Sequence, residues 1–410
     1  MCRLKREPYD WHLRTEDMRL LTLLVTIYCC SVSVLAQPGN QASTANARSD
    51  DKSVAARPAP FPPQLEVRVP FEPTAFPNGS HLYLAYEIHL TNYFPFPLSL
   101  HRIQVLDQAA KDAPPIAVFE GDQLEKMLQA LSGGSSDPQT RLVIGGGQST
   151  IVYMWIEFDR GSRIPTRLVH LVSTDHGEVE GAAIGTRHSQ LHVLGPPVEG
   201  NDWIADDGPS NDEDNHHRRG VVILDGRAVD SRRYAIDWMQ FRSGASYSGE
   251  ARDLHSYYCF GKPVLAVADG RVVTARDGLP ENTPGHGYAF HPAIPITLDT
   301  VAGNTITLDI GGGQFAYYLH LQPGSLRVKA GDHVRRGQVL ARVGASGDAR
   351  EPHLHFEVTD SAKVLAGDGV PYVIEHYRLQ FAGGGPSELH IDELPLDHNV
   401  VAFEEDRTAR

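Results

Sequence analysis

Cysteine is almost missing from this chain, with four in 410 residues: Cys2, Cys29, Cys30 and Cys259. The first three lie in or before a short apolar stretch that reads as a removable leader, so the processed chain keeps Cys259 alone and cannot form an intramolecular disulfide. Long hydrophobic runs are missing too. The run Leu20–Tyr28 is shorter than the roughly 20 residues that span a bilayer, and no later segment is long enough. Basic charge is in deficit, with 37 Lys+Arg against 51 Asp+Glu and a net charge of −14. An acidic chain is a poor partner for nucleic acid or anionic membrane. Phosphate-loop chemistry is absent as well. The triplets Gly145–Gly147, Gly311–Gly313 and Gly383–Gly385 lack a following Lys-Ser/Thr and read as turns.

What is present begins with Met18-Arg19, the apolar run, and small residues ending Val34-Leu35-Ala36. This order reads as a signal peptide over residues 18–36, cleaved after Ala36, which sends the chain to a periplasm or the extracellular space. Removing residues 1–36 takes away five Lys/Arg and four Asp/Glu, a change of −1 from −14 to −15. Residues 37–64, rich in Ala, Ser, Asn, Gln and Pro, read as a disordered linker.

Gly 38 and Pro 28 favour strands and turns over helical bundles. From 65 to 194 the chain alternates, as in Leu82–Leu90 and Thr150–Phe158, with one short helix expected over Asp122–Leu131. This predicts a mainly β protein whose N-terminal part is an immunoglobulin-like β-sandwich. His81, His89, His101 and His170 are scattered through it and read as ordinary core or surface residues. Residues 195–215 read as an acidic Pro/Gly linker, 216–380 as a second β domain, and 381–410 as a C-terminal tail.

The second domain carries the chemistry. His353-Leu354-His355 sits in an apolar, β-prone run that puts both imidazoles on one face of a strand. Alone the pattern means little, since 20 His in 410 residues give about one His-x-His by chance. Its neighbours give it meaning: Tyr234-Ala235-Ile236-Asp237-Trp238, Gly261–Val272, Tyr317-Tyr318-Leu319-His320-Leu321, Val328–Val339, and Val343-Gly344-Ala345-Ser346-Gly347 before the histidine pair. In that order these segments resemble the lysostaphin-type, LytM-like zinc metallopeptidases, with the duplicated hybrid motif fold, which cut peptidoglycan cross-links. The resemblance covers residues 217–375 and implies an antiparallel β-sheet metallopeptidase domain. It implies Asp237 and His355 as ligands of Zn2+, His353 and His320 as the catalytic histidines, and peptidoglycan peptides as the partner.

One position departs from the family pattern, His-x-x-x-Asp, whose first residue is a zinc ligand. Here Arg233 stands in that place, and a guanidinium cannot lose its proton to bind a metal. The hairpin signal Asp225-Gly226 suggests a substitute. If Leu224 pairs with Arg227, the register continues to Ala235 opposite His216 and Tyr234 opposite His217, so either histidine can approach Asp237 from the next strand. His217, deeper in that strand, is the preferred third ligand. The expected function is a secreted zinc metalloendopeptidase of peptidoglycan stems or cross-bridges. The alternative is a catalytically inactive LytM-like cell-wall binding or regulatory protein. The sequence assigns no oligomeric state.

Overall fold

A computed structural model describes residues 61–130, 141–287, 290–381 and 386–403. The expected signal peptide, and all of the 37–64 linker but its last four residues, lie outside the described residues. Among the described residues the regular structure is almost wholly β-strand, as expected, and no helix is long and apolar enough to cross a membrane.

Two antiparallel sheets form the N-terminal part. One joins Leu65–Arg68, His81–Asn92, Ser149–Asp159 and Leu128–Ala130, with Phe76–Asn78 on its side. The other joins Gly177–Gly185, Arg167–Thr174, Leu98–Asp107 and Ala117–Glu120, with Val143–Ile144 alongside. Their facing residues share one apolar core. The helix of this region is shorter than expected, Gly121–Lys126, because the chain re-enters the first sheet at Leu128–Ala130.

Strand period explains how this part meets the rest. In His81–Asn92, alternate side chains point to opposite faces. Leu84, Tyr86, Ile88 and Leu90 enter the N-terminal core. Tyr83 and Ala85, one step out of phase, enter the larger core of the C-terminal half. Glu87 lies on that second face and is buried at 3% exposure. The strand is therefore covered on both sides.

The larger core belongs to an 11-stranded sheet. Its centre runs in the order Val400–Phe403, Gly200–Asp206, Ile236–Gln240, Leu354–Thr359, Gln314–Leu321, Asn304–Gly311. Three sequence expectations change here. The expected linker at 195–215 contains a central strand, Gly200–Asp206, whose Trp203 and Ala205 are fully buried; flanking Pro, Gly and acids hid its alternation. The expected tail holds two strands, Glu388–Glu393 and Val400–Phe403, and the second fills the sheet between Val373–Gln380 and Gly200–Asp206. The hairpin forms as read, with Leu224 opposite Arg227 and positive φ at Asp225 and Gly226. It ends, however, at Val222 opposite Val229. A 3-10 turn, Ser231–Tyr234, then redirects the chain, so the expected pairing of Ala235 with His216 and Tyr234 with His217 does not form, and Asp237 pairs with Asp206 and His355.

That turn answers the question posed by Arg233. Its guanidinium is buried against the N-terminal sheet, with Nε 3.0 and 3.1 Å from the two Glu87 oxygens and Nη2 2.6 Å from Glu87 Oε2. It also reaches Asp368 Oδ1 and the Gly369 carbonyl, each at 3.0 Å. Arg218 donates to the same Glu87 carboxylate and to the carbonyls of Tyr86 and Met154, both at 3.0 Å. Burial alone would raise the Glu87 pKa, but the charges of Arg233 and Arg218 outweigh it and hold the group at about 2.

Removing one partner of a buried ion pair leaves uncompensated charge at a cost of about 3–5 kcal/mol. Glu87→Ala is therefore expected to destabilise the fold by an amount of that order. Because the folded pKa is depressed, the carboxylate's contribution is complete above about pH 4.5 and fades as pH falls toward 2. Urea unfolding from pH 2 to 6 checks this. An acid dependence in Glu87→Gln equal to that of the unaltered chain would contradict it.

Candidate metal centre and active site

Asp237 sits in Ile236–Gln240, a strand buried along its whole length. Ladder bonds fix it from both sides, opposite Asp206 on one neighbour and His355 on the other. His355 lies on Leu354–Thr359, which also pairs with Gln314–Leu321 and sets Leu319 opposite His355. His353 and His320 flank these strand ends. His217 comes from the turn that follows Gly200–Asp206. A loop thus brings His217 to the site that the sequence had assigned to a strand, and the register that suggested it does not exist.

Five side chains converge. His355 Nδ1 lies 2.9 Å from Asp237 Oδ1, and His217 Nε2 lies 3.5 Å from the same oxygen. His353 Nε2 is 3.5 Å from Asp237 Oδ2. The His320 and His353 rings meet edge to face at 4.8 Å, and those of His217 and His355 at 4.7 Å. His216, His217 and Asp237 offer ligand atoms within 4.8 Å of one another. The His216 ring, however, is half exposed and its Nδ1 pairs with Asp207 Oδ2 at 3.0 Å.

Each imidazole is oriented by its other nitrogen. His217 Nδ1 donates to the Asp207 carbonyl at 2.8 Å, which leaves Nε2 facing Asp237. His355 Nε2 faces Glu357 Oε2 at 3.3 Å, which leaves Nδ1 facing Asp237. His353 Nδ1 donates to the Glu351 carbonyl at 2.9 Å, and His320 Nδ1 to the Ser346 carbonyl at 2.8 Å. These tautomers follow from the partners present. A carboxylate or carbonyl behind a metal-facing imidazole is the usual arrangement for fixing ring orientation.

The electrostatics agree with the geometry. Burial would raise Asp237, but His353, His217 and His355 around it hold its carboxyl well below the usual range. Burial pushes His217 and His320 well below the ordinary imidazole value, which keeps both neutral. His355 is also buried, yet Asp237 and Glu357 raise it to about 9. A cation between those two carboxylates is thus favoured.

These donors fit zinc. Tetrahedral zinc with bonds of about 2.0–2.1 Å holds ligand atoms about 3.4 Å apart, and Asp237 Oδ1 has two ring nitrogens at 2.9 and 3.5 Å. One carboxylate and two imidazoles, each able to bind through the nitrogen that faces the site once unprotonated, leave a fourth position open, the pattern of catalytic sites.

Local backbone geometry places His320. Its φ is +63°, the left-handed region that a non-glycine residue seldom enters. The Ser346 turn holds it there. Ser346 Oγ accepts from Asn304 N at 2.9 Å and donates to the Leu321 carbonyl at 2.8 Å, while its carbonyl takes the His320 proton. Gly347 has φ +73°, and a Cβ there would meet the backbone of Gly303, which explains the Ser346-Gly347 pair. The long loop after Asp277 is pinned over this turn. Glu281 Oε2 accepts from Ala345 N at 2.6 Å, and Asn282 Nδ2 donates to the Gly347 carbonyl at 2.7 Å. His286 and His291 beyond it are exposed.

The structure brings together Asp237, His217, His320, His353 and His355, all singled out by sequence. Glu357 and Asp207 were missed. Glu357 was legible, since His353, His355 and Glu357 share the two-residue period of one strand face. Asp207 contributes through its carbonyl and left no signal. Among the scattered histidines, His170 is a buried core residue bonded to Tyr86 Oη at 2.7 Å. A cleft of about 280 Å³ near Thr74, Leu82, Arg163 and Arg187 is lined by no histidine or carboxylate and lies apart from this cluster.

Known proteins resemble the same region. Residues 256–366 match the model described as Peptidase family M23. The peptidoglycan DD-endopeptidase ShyB of Vibrio cholerae is 35% identical over 98 residues, which is 24% of this chain and 18% of that protein. The glycyl-glycine endopeptidase ALE-1 of Staphylococcus capitis is 31% identical over 116 residues, 28% of this chain and 26% of that protein. The chain therefore spans about a fifth to a quarter of the length of these two relatives. The catalytic domain of lysostaphin from Staphylococcus simulans aligns with 39% of this chain and 80% of its own, at 21% identity and a TM-score of 0.21. Residues 256–366 are thus similar to peptidase family M23.

Proposed function

We propose that this chain is an exported zinc metalloendopeptidase that hydrolyses peptide bonds in the stems or cross-bridges of peptidoglycan. The observation that carries the reading is the Asp237 carboxylate, faced by His355 Nδ1 at 2.9 Å and His217 Nε2 at 3.5 Å, with His353 Nε2 beside its other oxygen. Asp237, His355 and His217 would hold the metal. Bound there, zinc would lower the pKa of water to near 7 and polarise a carbonyl.

The protein's own groups supply the rest. His320 and His353 each present Nε2, because their Nδ1 protons are engaged by backbone carbonyls. Together they orient the attacking water, take its proton, and return a proton to the leaving amine. The proton gained from the water at Nε2 gives such a group a donor for the charge that develops on the carbonyl oxygen. Glu357 and the Asp207 carbonyl keep the ligand rings from rotating. Arg233 is engaged by Glu87 and Asp368, so its presence at the usual ligand position does not empty the site. The relatives named as peptidoglycan and glycyl-glycine endopeptidases support the substrate class.

Incubating the zinc-loaded protein with purified peptidoglycan is expected to release peptides bearing new amino termini, and a chelator to stop the release. Intact peptidoglycan after incubation with stoichiometrically loaded protein would overturn the enzymatic reading.

A further inference from the structure

We infer that Glu87, on the N-terminal sheet, is a positioning residue for the zinc site: it anchors Arg218, and Arg218 fixes the neighbouring His217 on Asp237. The inference rests on the zinc reading above. His217 differs from the other candidate ligands in its support. Asp237 and His355 are held by ladder bonds within the large sheet. His217 sits in a turn and belongs to no strand.

The turn's own bonds are local: Asn215 Nδ2 to the Gly208 carbonyl at 2.7 Å, Arg218 N to Asn215 Oδ1 at 2.8 Å, and Gly220 N to the His217 carbonyl at 3.0 Å. The start of the segment is tied to the C-terminal half through Gly208 N and Asp397 Oδ1 at 3.1 Å, and its end through Arg232 Nη2 and the Gly220 carbonyl at 3.3 Å, but the two residues that follow His217 are anchored on the N-terminal part. Arg218, 1% exposed, bonds Glu87 and the carbonyls of Tyr86 and Met154. Arg219 reaches the Lys126 carbonyl at 3.1 Å and lies 4.3 Å over the Tyr153 ring. Consecutive Cα atoms are about 3.8 Å apart, so displacement of a buried Arg218 carries His217 with it. Glu87 is the charge that makes burial of Arg218 tolerable.

Arg233 provides the control. It shares Glu87 with Arg218, but it precedes a strand that is paired on both sides, so its loss costs stability without freeing a ligand.

Zinc affinity of the full chain, measured by competition with a chromogenic chelator, tests this beside urea stability of the metal-free form. Arg218→Met and Glu87→Gln are expected to weaken zinc binding about 10–100-fold, the usual effect of losing a group that supports a ligand. Arg233→Met, with a comparable loss of stability, is expected to stay within about threefold. Arg218→Lys provides a milder variant if the others do not fold. It keeps the charge beside Glu87 but lacks the planar fork that reaches both carbonyls, so it too is expected to bind more weakly. Equal weakening in Arg233→Met, or none in the Arg218 variants, would overturn the positioning role. Failure of the unaltered chain to bind zinc would overturn the zinc reading itself.

Discussion

Alanine at His217 is expected to strip zinc from the protein, while alanine at His216 leaves it bound. The two neighbours differ in where their ring nitrogens go. His217 is 2% exposed, gives its Nδ1 proton to the Asp207 carbonyl, and aims Nε2 at Asp237. His216 is half exposed and spends Nδ1 on Asp207 Oδ2. A protein zinc site is worth about 10–16 kcal/mol near neutral pH. One ligand in four then corresponds to roughly 3–4 kcal/mol, or a loss of about 10²–10³-fold in affinity. His216→Ala removes a ring that contacts His217 at a centroid distance of 4.1 Å and is expected to cost less than about tenfold. Metal content after dialysis, followed by chelator competition, reads both. Retention of zinc by His217→Ala together with its loss from His216→Ala would exchange the two roles. Retention in both would return the site to two protein ligands.

Alanine at His353 or His320 is expected to abolish turnover with zinc still bound. Proton transfer by a positioned histidine contributes typically 10²–10⁴-fold, and loss of one group stabilising the developing oxyanion costs about 10²–10³-fold. Either substitution should therefore lower kcat by about 10²–10⁴-fold. The zinc content separates this outcome from a ligand defect. His320 is the more sensitive position structurally, because its backbone is held at φ +63° by the Ser346 turn. Alanine there removes the bond to the Ser346 carbonyl, so circular dichroism must accompany the kinetics. Zinc lost in step with activity in His353→Ala would make that residue a ligand instead.

Much of this site is legible in the amino-acid sequence. A strand shows its face by a period of two, so His353 and His355 had to lie on the same side. Asp237 stands out as an acid in an apolar strand, and His320 as a histidine closing another. These residues keep their meaning because each lies on or beside a strand whose side-chain direction the local pattern fixes. The N-terminal strands are legible for the same reason: His81–Asn92 and Ser149–Asp159 extend the expected runs by one or two residues at each end.

Other parts are not legible. Gly200–Asp206 is hidden among Pro, Gly and acidic residues, and two strands near the C-terminus lie in what composition describes as a tail. Pairing of Gly200–Asp206 with Val400–Phe403 depends on which edge remains open in the sheet, and local pattern carries no record of that. The hairpin at Asp225-Gly226 shows the boundary clearly. Its turn chemistry fixes the first pairs, but the register does not extend past the 3-10 turn at Ser231–Tyr234.

By itself the sequence determined the mainly β architecture and the chemical inventory of the centre: one aspartate, the His-x-His pair, a further histidine, and an arginine unable to bind metal. Only the tertiary structure decided what that arginine does and which histidine stands beside Asp237. Both answers come from contacts between residues distant in the chain. Arg233 and Arg218 meet Glu87 across 146 and 131 positions, and a turn docked on another sheet carries His217 into place. Periodicity reports the direction of a side chain along its own strand. The partner at the far end of a salt bridge is chosen by packing of the whole molecule.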